Sequence, residues 1–138
     1  MAETERRKPI VLAMILCDQI IVEKGTEKPN LIGVFSVVFA KKFPAAHQKA
    51  AIYVALTEGQ GDYTGRLRLV FAETEQELFR AEGSISLPNP LAVCELQFAV
   101  PVIPLPREGK YRLDFLCDDE LCGSRRFVAR QLAQGDAK

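Results

Sequence analysis

Residues 111–117 read Tyr-Arg-Leu-Asp-Phe-Leu-Cys, and this stretch decides the fold class. Apolar and charged residues alternate along it, with Tyr111, Leu113, Phe115 and Cys117 on one side and Arg112 and Asp114 on the other. Successive side chains of a β-strand point to opposite faces of the sheet, so this spacing predicts a strand. One face of that strand is expected in the core and the other in water.

The same alternation recurs in four further stretches of the chain. The residues predicted to face the core are Ile52, Val54 and Leu56; Leu67, Leu69 and Phe71; Phe79, Ala81, Gly83, Ile85 and Leu87; and Cys94, Leu96, Phe98 and Val100. A last strand is predicted from Ser124 to Leu132, after a hairpin turn over residues 117–123.

Glycine and proline residues separate these stretches at short intervals, which is typical of sandwiches and barrels. The best helix candidate, from Ala45 to Ala51, is too short for more than a turn or two. The segment Gly59-Gln60-Gly61-Asp62 predicts a hairpin turn. We therefore predict one domain over residues 1–138, with flexible tails at 1–8 and 133–138. Its expected fold is all-β, an antiparallel β-sandwich, immunoglobulin-like or related, of about seven to nine strands.

Two runs break the alternation because they are apolar on both faces. The first begins at Ile10 and ends at Leu16, and the second begins at Leu31 and ends at Ala40. Only one side of each sheet faces the core of a two-layer sandwich, so the other side of these strands needs a cover. A local loop or short helix, a second copy of the chain, or another partner would supply it.

The charge balance argues against a nucleic-acid partner. The chain has 18 basic and 18 acidic residues and a formal net charge of zero, whereas phosphate neutralisation normally requires a basic excess. The N-terminal segment lacks the pattern of a signal peptide, and no apolar run approaches the roughly 20 residues that span a bilayer. We expect a cytoplasmic protein that binds neither nucleic acid nor membrane.

Three groups of short motifs resemble a known family. They are Leu16-Cys17-Asp18 with Pro29-Asn30-Leu31-Ile32-Gly33-Val34-Phe35; Phe43-Pro44-Ala45-Ala46-His47; and Pro106-Arg107-Glu108-Gly109-Lys110-Tyr111-Arg112-Leu113 with Cys117-Asp118-Asp119 and Arg126-Phe127-Val128. Together they resemble an uncharacterised bacterial family of about this length with no assigned activity. The resemblance spans most of the chain and implies a small β-sandwich, but it supplies no catalytic residues.

Gly109-x-Tyr111-x-Leu113 is also similar to the entry of a late strand in immunoglobulin-like sandwiches. In those domains a tyrosine hydroxyl at the corner bonds back to nearby backbone. The alternative is an ordinary strand tyrosine with its ring in the core.

Catalysis by histidine would have to use His47, because it is the only histidine in the chain. A nucleophile such as Cys17 and an acid such as Asp18 would need to lie within hydrogen-bond reach of each other and of the imidazole. No triad pattern surrounds His47, and a histidine in a loop more often caps a turn or a strand end. We therefore assign no catalytic residue.

The remaining candidates concern thiols and carboxylates. Without a secretory signal, the cysteines Cys17, Cys94, Cys117 and Cys122 are expected to be reduced. Cys117 and Cys122 do not have the knuckle spacing of a structural zinc site, although a disulfide between them, or zinc shared with Cys17, stays open. The acidic run of Asp118, Asp119 and Glu120 would bind calcium only with carboxylates such as Asp18, Asp62 and Glu108 beside it. We predict no cofactor and no metal.

These patterns favour a non-enzymatic structural or protein-interaction module. It would self-associate or dock on a partner through the strands at residues 10–16 and 31–40. The alternative is a small-ligand-binding or hydrolytic sandwich that uses His47, Cys17 and Asp18.

Overall fold

The computed structural model describes residues 7–133, and the regular structure of that range consists of nine β-strands without a helix. The strands are β1 Ile10–Val22, β2 Pro29–Val34, β3 Val37–Ala40, β4 Ala45–Thr57, β5 Gly61–Phe71, β6 Gln76–Leu87, β7 Cys94–Leu105, β8 Gly109–Cys117 and β9 Glu120–Gln131. In this range there is accordingly no helix with the length and apolar character needed to cross a membrane.

The strands form two sheets that pack face to face as a β-sandwich. Sheet A has the strand order β2-β1-β4-β7, and sheet B has the order β3-β9-β8-β5-β6. Every pair of neighbours is antiparallel except β3 and β9, which run parallel. The predicted all-β sandwich is therefore confirmed, and its one departure from a purely antiparallel pattern is the short strand β3.

The core contains most of the side chains that the alternation assigned to it. The stretch at residues 111–117 supplies Tyr111, Leu113, Phe115 and Cys117, all at most 2% exposed. The ring of Tyr111 lies 5.0 Å from that of Phe71 and 5.3 Å from that of Phe127, measured between ring centres. These rings fill the space between the sheets, and such aromatic pairs add to the stability that burial itself provides.

Tyr111 also makes the corner hydrogen bond. Its hydroxyl donates to the carbonyl of Arg107 and accepts a bond of 3.2 Å from the N–H of the same residue. This polar contact holds the entry of β8 while the ring remains in the core.

Strand β6 fits its predicted alternation only in its second half. Ile85 and Leu87 are buried, but Phe79 is half-buried and Ala81 and Gly83 are exposed. The β5–β6 ladder shifts register between Leu69 and Val70. Because β6 is an edge strand, its first half lacks the cover that the pattern presupposes.

The predicted helix from Ala45 to Ala51 is wrong. These residues form the first half of β4 and pair with β7, from Ala45 opposite Leu105 to Ala51 opposite Ala99. Helix propensity is a weak preference that tertiary pairing overrides, and a long neighbouring strand supplies that pairing here.

Two turn predictions are also corrected. Strand β9 begins at Glu120 and not at Ser124, because the hairpin needs only Asp118 and Asp119, both with positive φ (50° and 69°). The segment Gly59-Gln60-Gly61-Asp62 does not close a hairpin, since it connects β4 in sheet A to β5 in sheet B.

Most of the predicted tails, residues 1–6 and 134–138, lies outside the described residues. The described part of the N-terminal tail makes specific contacts. Arg7 pairs with Glu58 at 2.8 Å, and the ammonium of Lys8 donates to the carbonyl of Leu121 at 3.2 Å. The side chains of Arg7 and Lys8 thereby tie this segment to Glu58, after β4 of sheet A, and to Leu121, in β9 of sheet B.

The two runs that are apolar on both faces, at residues 10–16 and 31–40, have different structural causes. In β1 a bulge between Val11 and Ala13 leaves Leu12 as an extra residue, so the inward face changes from odd to even positions. The second run is not one strand: the chain leaves sheet A at Val34 and joins sheet B at Val37. Its outward residues therefore lie on two different faces of the sandwich.

Candidate functional site

The outer face of sheet B is covered by ion pairs. They join Arg66 to Glu82 and Asp119, Arg68 to Asp114, Arg112 to Asp114 and Glu75, and Arg80 to Glu77, at 2.6–3.0 Å. Charged side chains of alternating sign are typical of a face that stays in water. These pairs occupy β5, β6 and β8, and the exposed apolar side chains of sheet B lie on its edge strand β3, at Val37 and Phe39, and beside the β8–β9 hairpin, at Leu121.

The outer face of sheet A, in contrast, carries uncharged side chains on three of its strands. The cross-strand register and the composition of the core place uncharged side chains on its outward positions along three neighbouring strands. They are Asn30, Ile32 and Val34 of β2; Ile15, Cys17, Gln19 and Ile21 of β1; and Ala51, Tyr53 and Ala55 of β4. The sandwich thus has one outer face whose central strands are charged and one that is largely apolar.

The large members of this face form a contiguous surface, which we call the outer patch: Ile15, Ile21, Ile32, Val34 and Tyr53. Ile21, Ile32 and Val34 are 45%, 44% and 56% exposed, and the other two are half-buried. Between them lie small side chains that are buried although no second layer covers them, namely Cys17, Ala51 and Ala55. Contiguous apolar surface of this kind marks interaction sites in soluble proteins.

A single acidic residue borders the outer patch on β7. The hydroxyl of Tyr53 donates to the carboxylate of Glu95. Burial, together with this hydrogen bond and the negative charge of Glu95, raises the pKa of Tyr53 to about 12. Tyr53 therefore remains an uncharged donor at any physiological pH, and the patch stays neutral.

The residues that the sequence offered as a catalytic or ligand-binding group, His47, Cys17 and Asp18, do not lie together in the structure. Cys17 and Asp18 are consecutive in β1, so their side chains point to opposite faces of sheet A. The thiol of Cys17 donates weakly to the carbonyls of Gln19 and Ala51, at 3.5 and 3.6 Å, and burial raises its pKa. A buried thiol with a raised pKa and only backbone partners is a poor nucleophile.

His47 lies in β4 and not in a loop. Its ring packs on Phe35 with 5.1 Å between ring centres, and its Nε2 is buried without a hydrogen-bond partner. An unpaired imidazole nitrogen in an apolar contact has no acid to orient it, as a general base requires.

Asp18 approaches the neighbouring strand closely. The backbone of Gly33 has φ of +72°, and a Cβ at this position would collide with the Asp18 carboxylate. Asp18 also lines a cleft of about 420 Å³ together with Lys49, Phe98 and Pro101. Neither His47 nor Cys17 lines this cleft.

A second cleft, of about 470 Å³, opens between the edge strands β6 and β7. Phe79 and Ala81 line it from sheet B, and Phe98, Val100 and Val102 line it from sheet A. Its position explains why the first half of β6 is poorly covered.

Two carboxylates of the acidic run, those of Asp118 and Asp119, have protein partners. Asp118 accepts the N–H of Thr64 at 2.8 Å, and Asp119 pairs with Arg66 at 2.6 Å. Glu108 accepts the N–H of Gln131 at 2.8 Å on another part of β9. Among residues 7–133 no three histidine, cysteine or acidic side chains are grouped to hold a metal ion.

Cys117 and Cys122 lie next to each other and are not joined by a disulfide. Both contribute to the core between the sheets, Cys117 fully and Cys122 partly buried. The thiol of Cys117 hydrogen-bonds to the sulfur of Cys122, which lowers the pKa of Cys122 to about 7. The open alternative of a zinc site shared with Cys17 finds no support, because Cys17 lies on the outer face of sheet A.

Sequence reasoning missed Tyr53, the largest residue of the outer patch. The segment from Ala51 to Ala55 reads Ala-Ile-Tyr-Val-Ala, and only its inward residues, Ile52 and Val54, were interpreted. Its other three positions are also uncharged, and that was the available signal for a third strand with two apolar faces.

The fold and the two unlike outer faces define a small β-sandwich with an apolar surface and without an assembled catalytic group in its described part. The model of a family of unknown function, DUF6941, matches residues 12–130, so the chain belongs to this family. This match confirms the resemblance to a family without an assigned activity. No curated protein matches the chain.

Proposed function

We propose that this protein is a non-enzymatic interaction module that self-associates through the outer face of sheet A. The observation that carries the proposal is the contrast between the two outer faces. Strands β5, β6 and β8 of sheet B present a lattice of ion pairs to water, whereas the outer patch on sheet A presents Ile21, Ile32 and Val34 at 44–56% exposure. Burying the apolar face against a partner is favourable because it removes this area from water.

The face is large enough for a stable interface. Four strands about 4.8 Å apart and up to 13 residues long, as β1 and β4 are, give an area on the order of 700 Å². A standard protein interface buries roughly 800 Å² on each partner. Sheet A alone therefore offers most of the surface that such a complex needs.

A second copy of the chain suits this surface best. An isologous dimer brings the same patch of both copies together, so a charged group in the patch would lie close to the same charge of the other copy. The outer patch is uncharged, and Glu95 at its border is engaged by Tyr53. The formal net charge of zero adds no long-range repulsion between copies.

The proposal is tested by sedimentation equilibrium of the wild type and the Val34→Lys variant. Val34 is 56% exposed on the edge strand β2, so the folded monomer accepts a lysine there. We expect the wild type to dimerise and the variant to associate at least about 10-fold more weakly, because the dimer would bury an unpaired charge.

The matched control is Phe39→Lys. Phe39 is 59% exposed and also lies on an edge strand, but on β3 of sheet B and not on the outer face of sheet A. It should dimerise as the wild type does. A wild type that remains monomeric over the whole concentration range, or equal weakening by both substitutions, would refute self-association through this face.

The finer expectations belong to the same proposal. An immunoglobulin-like arrangement is supported by the parallel β3–β9 pair beside β8 and by the corner bond of Tyr111. We also propose a bacterial, cytoplasmic protein that acts without nucleic acid or membrane. The alternative of a hydrolytic site is not adopted, because Cys17 and Asp18 face opposite ways and His47 Nε2 has no partner.

A further inference from the structure

The β8–β9 hairpin brings two cysteines together at one end of the sandwich. Cys117 ends β8, and Cys122 lies three residues into β9. The ladder shifts register between Phe115 and Leu116, which pair with Gly123 and Leu121, so Cys122 is the extra residue of a bulge. Bulges re-aim side chains, and this one turns Cys122 inward to the thiol of Cys117.

The surroundings of Cys122 differ from those of the other cysteines. The hydrogen bond from Cys117 lowers the pKa of Cys122 against the effect of burial, and the ammonium of Lys8 contributes in the same direction. Lys8 is held over the hairpin by its bond to the carbonyl of Leu121. The negative charge of Glu120 acts in the opposite direction, and the Cys122 thiol donates to the carbonyl of Glu120 at 3.6 Å. Reactive cysteines are partly exposed and lie beside groups that stabilise the thiolate, as Lys8 and the thiol of Cys117 do here.

The two other cysteines have none of these features. Cys94 and Cys17 both have a raised pKa, chiefly because of burial and then because of the acidic neighbours Glu95 and Asp18. They provide internal references for reactivity within the same molecule.

We propose that Cys117 and Cys122 form a redox-active dithiol that a hydroperoxide oxidises to an intrachain disulfide, independently of self-association. Cys122 is the attacking thiolate, because it is the partly exposed member of the pair. Cys117 is the resolving thiol, already in hydrogen-bond contact with it.

The chemistry balances in two steps. The Cys122 sulfur attacks one oxygen of hydrogen peroxide, the O–O bond breaks, and the leaving hydroxide takes up a proton to become water while Cys122 becomes a sulfenic acid. The Cys117 sulfur then attacks the Cys122 sulfur, the S–O bond breaks, and the hydroxide leaves with the Cys117 proton as a second water. Two thiols and one peroxide thus give one disulfide and two waters.

The pair is better suited to this reaction than to zinc. A structural zinc site needs four ligands, and within residues 7–133 no third histidine, cysteine or acidic side chain joins the pair in a metal-binding group. Two neighbouring thiols outside a metal-binding group are the arrangement of a reactive cysteine beside a resolving one.

The experiment treats the reduced, full-length protein with one equivalent of hydrogen peroxide, alkylates the remaining thiols, and maps the tryptic peptides by mass spectrometry. Residues 113–125 form one tryptic peptide that holds both cysteines of the pair and neither of the others. We expect this peptide to lose two hydrogen atoms and to resist alkylation, while Cys17 and Cys94 are alkylated. Without peroxide, Cys122 should alkylate at neutral pH about 10-fold or more faster than Cys94, because far more of it is thiolate.

Two variants separate the roles. Cys117→Ser should stop at the sulfenic acid of Cys122, which dimedone traps, whereas Cys122→Ser should leave Cys117 unmodified. The proposal is overturned if Cys94 or Cys17 is oxidised as fast as Cys122, or if wild-type Cys122 accumulates as sulfenic acid without the disulfide. The wild-type map decides these points even if a serine variant fails to fold.

Discussion

Asp114 is the only charged residue that is fully buried in residues 7–133, at 1% exposure. The alternation had assigned it to the solvent side of β8, and it does point away from the core. Arg112 and Arg68 cover it, at 2.7 and 3.0 Å, and the hydroxyl of Ser124 donates to it at 2.7 Å. Burial raises the pKa of Asp114, but these bonds outweigh it and hold the pKa below its usual value.

The substitution Asp114→Asn should lower the free energy of unfolding by about 2–4 kcal/mol. Removing one partner of a fully buried ion pair costs about 3–5 kcal/mol, and Arg68 and Arg112 recover some solvation because their side chains are 34% and 22% exposed. Urea unfolding measures this difference. Asp119→Asn is the control, since Asp119 pairs with Arg66 at 76% exposure and should cost less than about 1 kcal/mol.

The stability difference between the wild type and Asp114→Asn should also depend on pH. Because the folded-state pKa of Asp114 lies below the ordinary aspartate value of 3.8, the carboxylate contributes stability above that value. This contribution is lost as the pH falls through 3.8 towards the folded-state pKa. The gap between wild type and Asp114→Asn should therefore narrow in that acid range. A gap that stays constant from neutral pH through the acid transition would contradict this account.

Single strands were predictable where the chain shows clean alternation, and the exceptions have physical causes. The residues Leu67, Leu69 and Phe71 are buried as expected, because β5 lies between two other strands. The bulge at Leu12 in β1 was hidden, since an extra residue changes the inward face without a visible sign when both faces are apolar. The break between β2 and β3 was hidden for the same reason.

At the level of the β1–β2 hairpin, Gly33→Ala should destabilise the protein by about 1–3 kcal/mol. An alanine at φ +72° is strained, and its Cβ would also meet the Asp18 carboxylate. Gly83→Ala is the matched control, because nothing lies within 4 Å of a Cβ there and its φ is not positive. It should be neutral or stabilise by up to about 1 kcal/mol.

The double variant Gly33→Ala with Asp18→Ala separates the two costs of the glycine substitution. Removing the carboxylate relieves the collision but not the backbone strain, so stability should recover only in part. Thermal unfolding of the four proteins measures these differences. Full recovery would show that the positive φ costs nothing, and no recovery would show that Asp18 is not the obstacle.

The candidate site could be predicted in outline only. The two-faced run from Ile10 to Leu16 pointed to an apolar outer surface at the N-terminal strands, and Ile15 does lie in the outer patch. The position of Tyr53 opposite Ile15 depends on the β1–β4 register, and the contact of Cys117 with Cys122 depends on a bulge. Both follow from pairings along whole strands, which local spacing does not encode.

For the whole molecule, the unlike outer faces predict how association responds to salt. The Debye length falls from about 10 Å at 0.1 M to about 3 Å at 1 M ionic strength, so contacts between the ion pairs of sheet B would weaken over this range. The outer patch is uncharged, and its dimer should keep the same Kd within about 2-fold or bind more tightly.

Sedimentation equilibrium at increasing sodium chloride measures this response, with Ser84→Lys as the control. Ser84 is an exposed residue of β6 opposite Thr64, on the outer side of sheet B. A lysine there adds the same charge as Val34→Lys but on the other face, so it should leave the Kd and its salt response unchanged. If salt weakens the dimer several-fold and Ser84→Lys alters it, association runs through the charged face, because only contacts between charges are screened in this way.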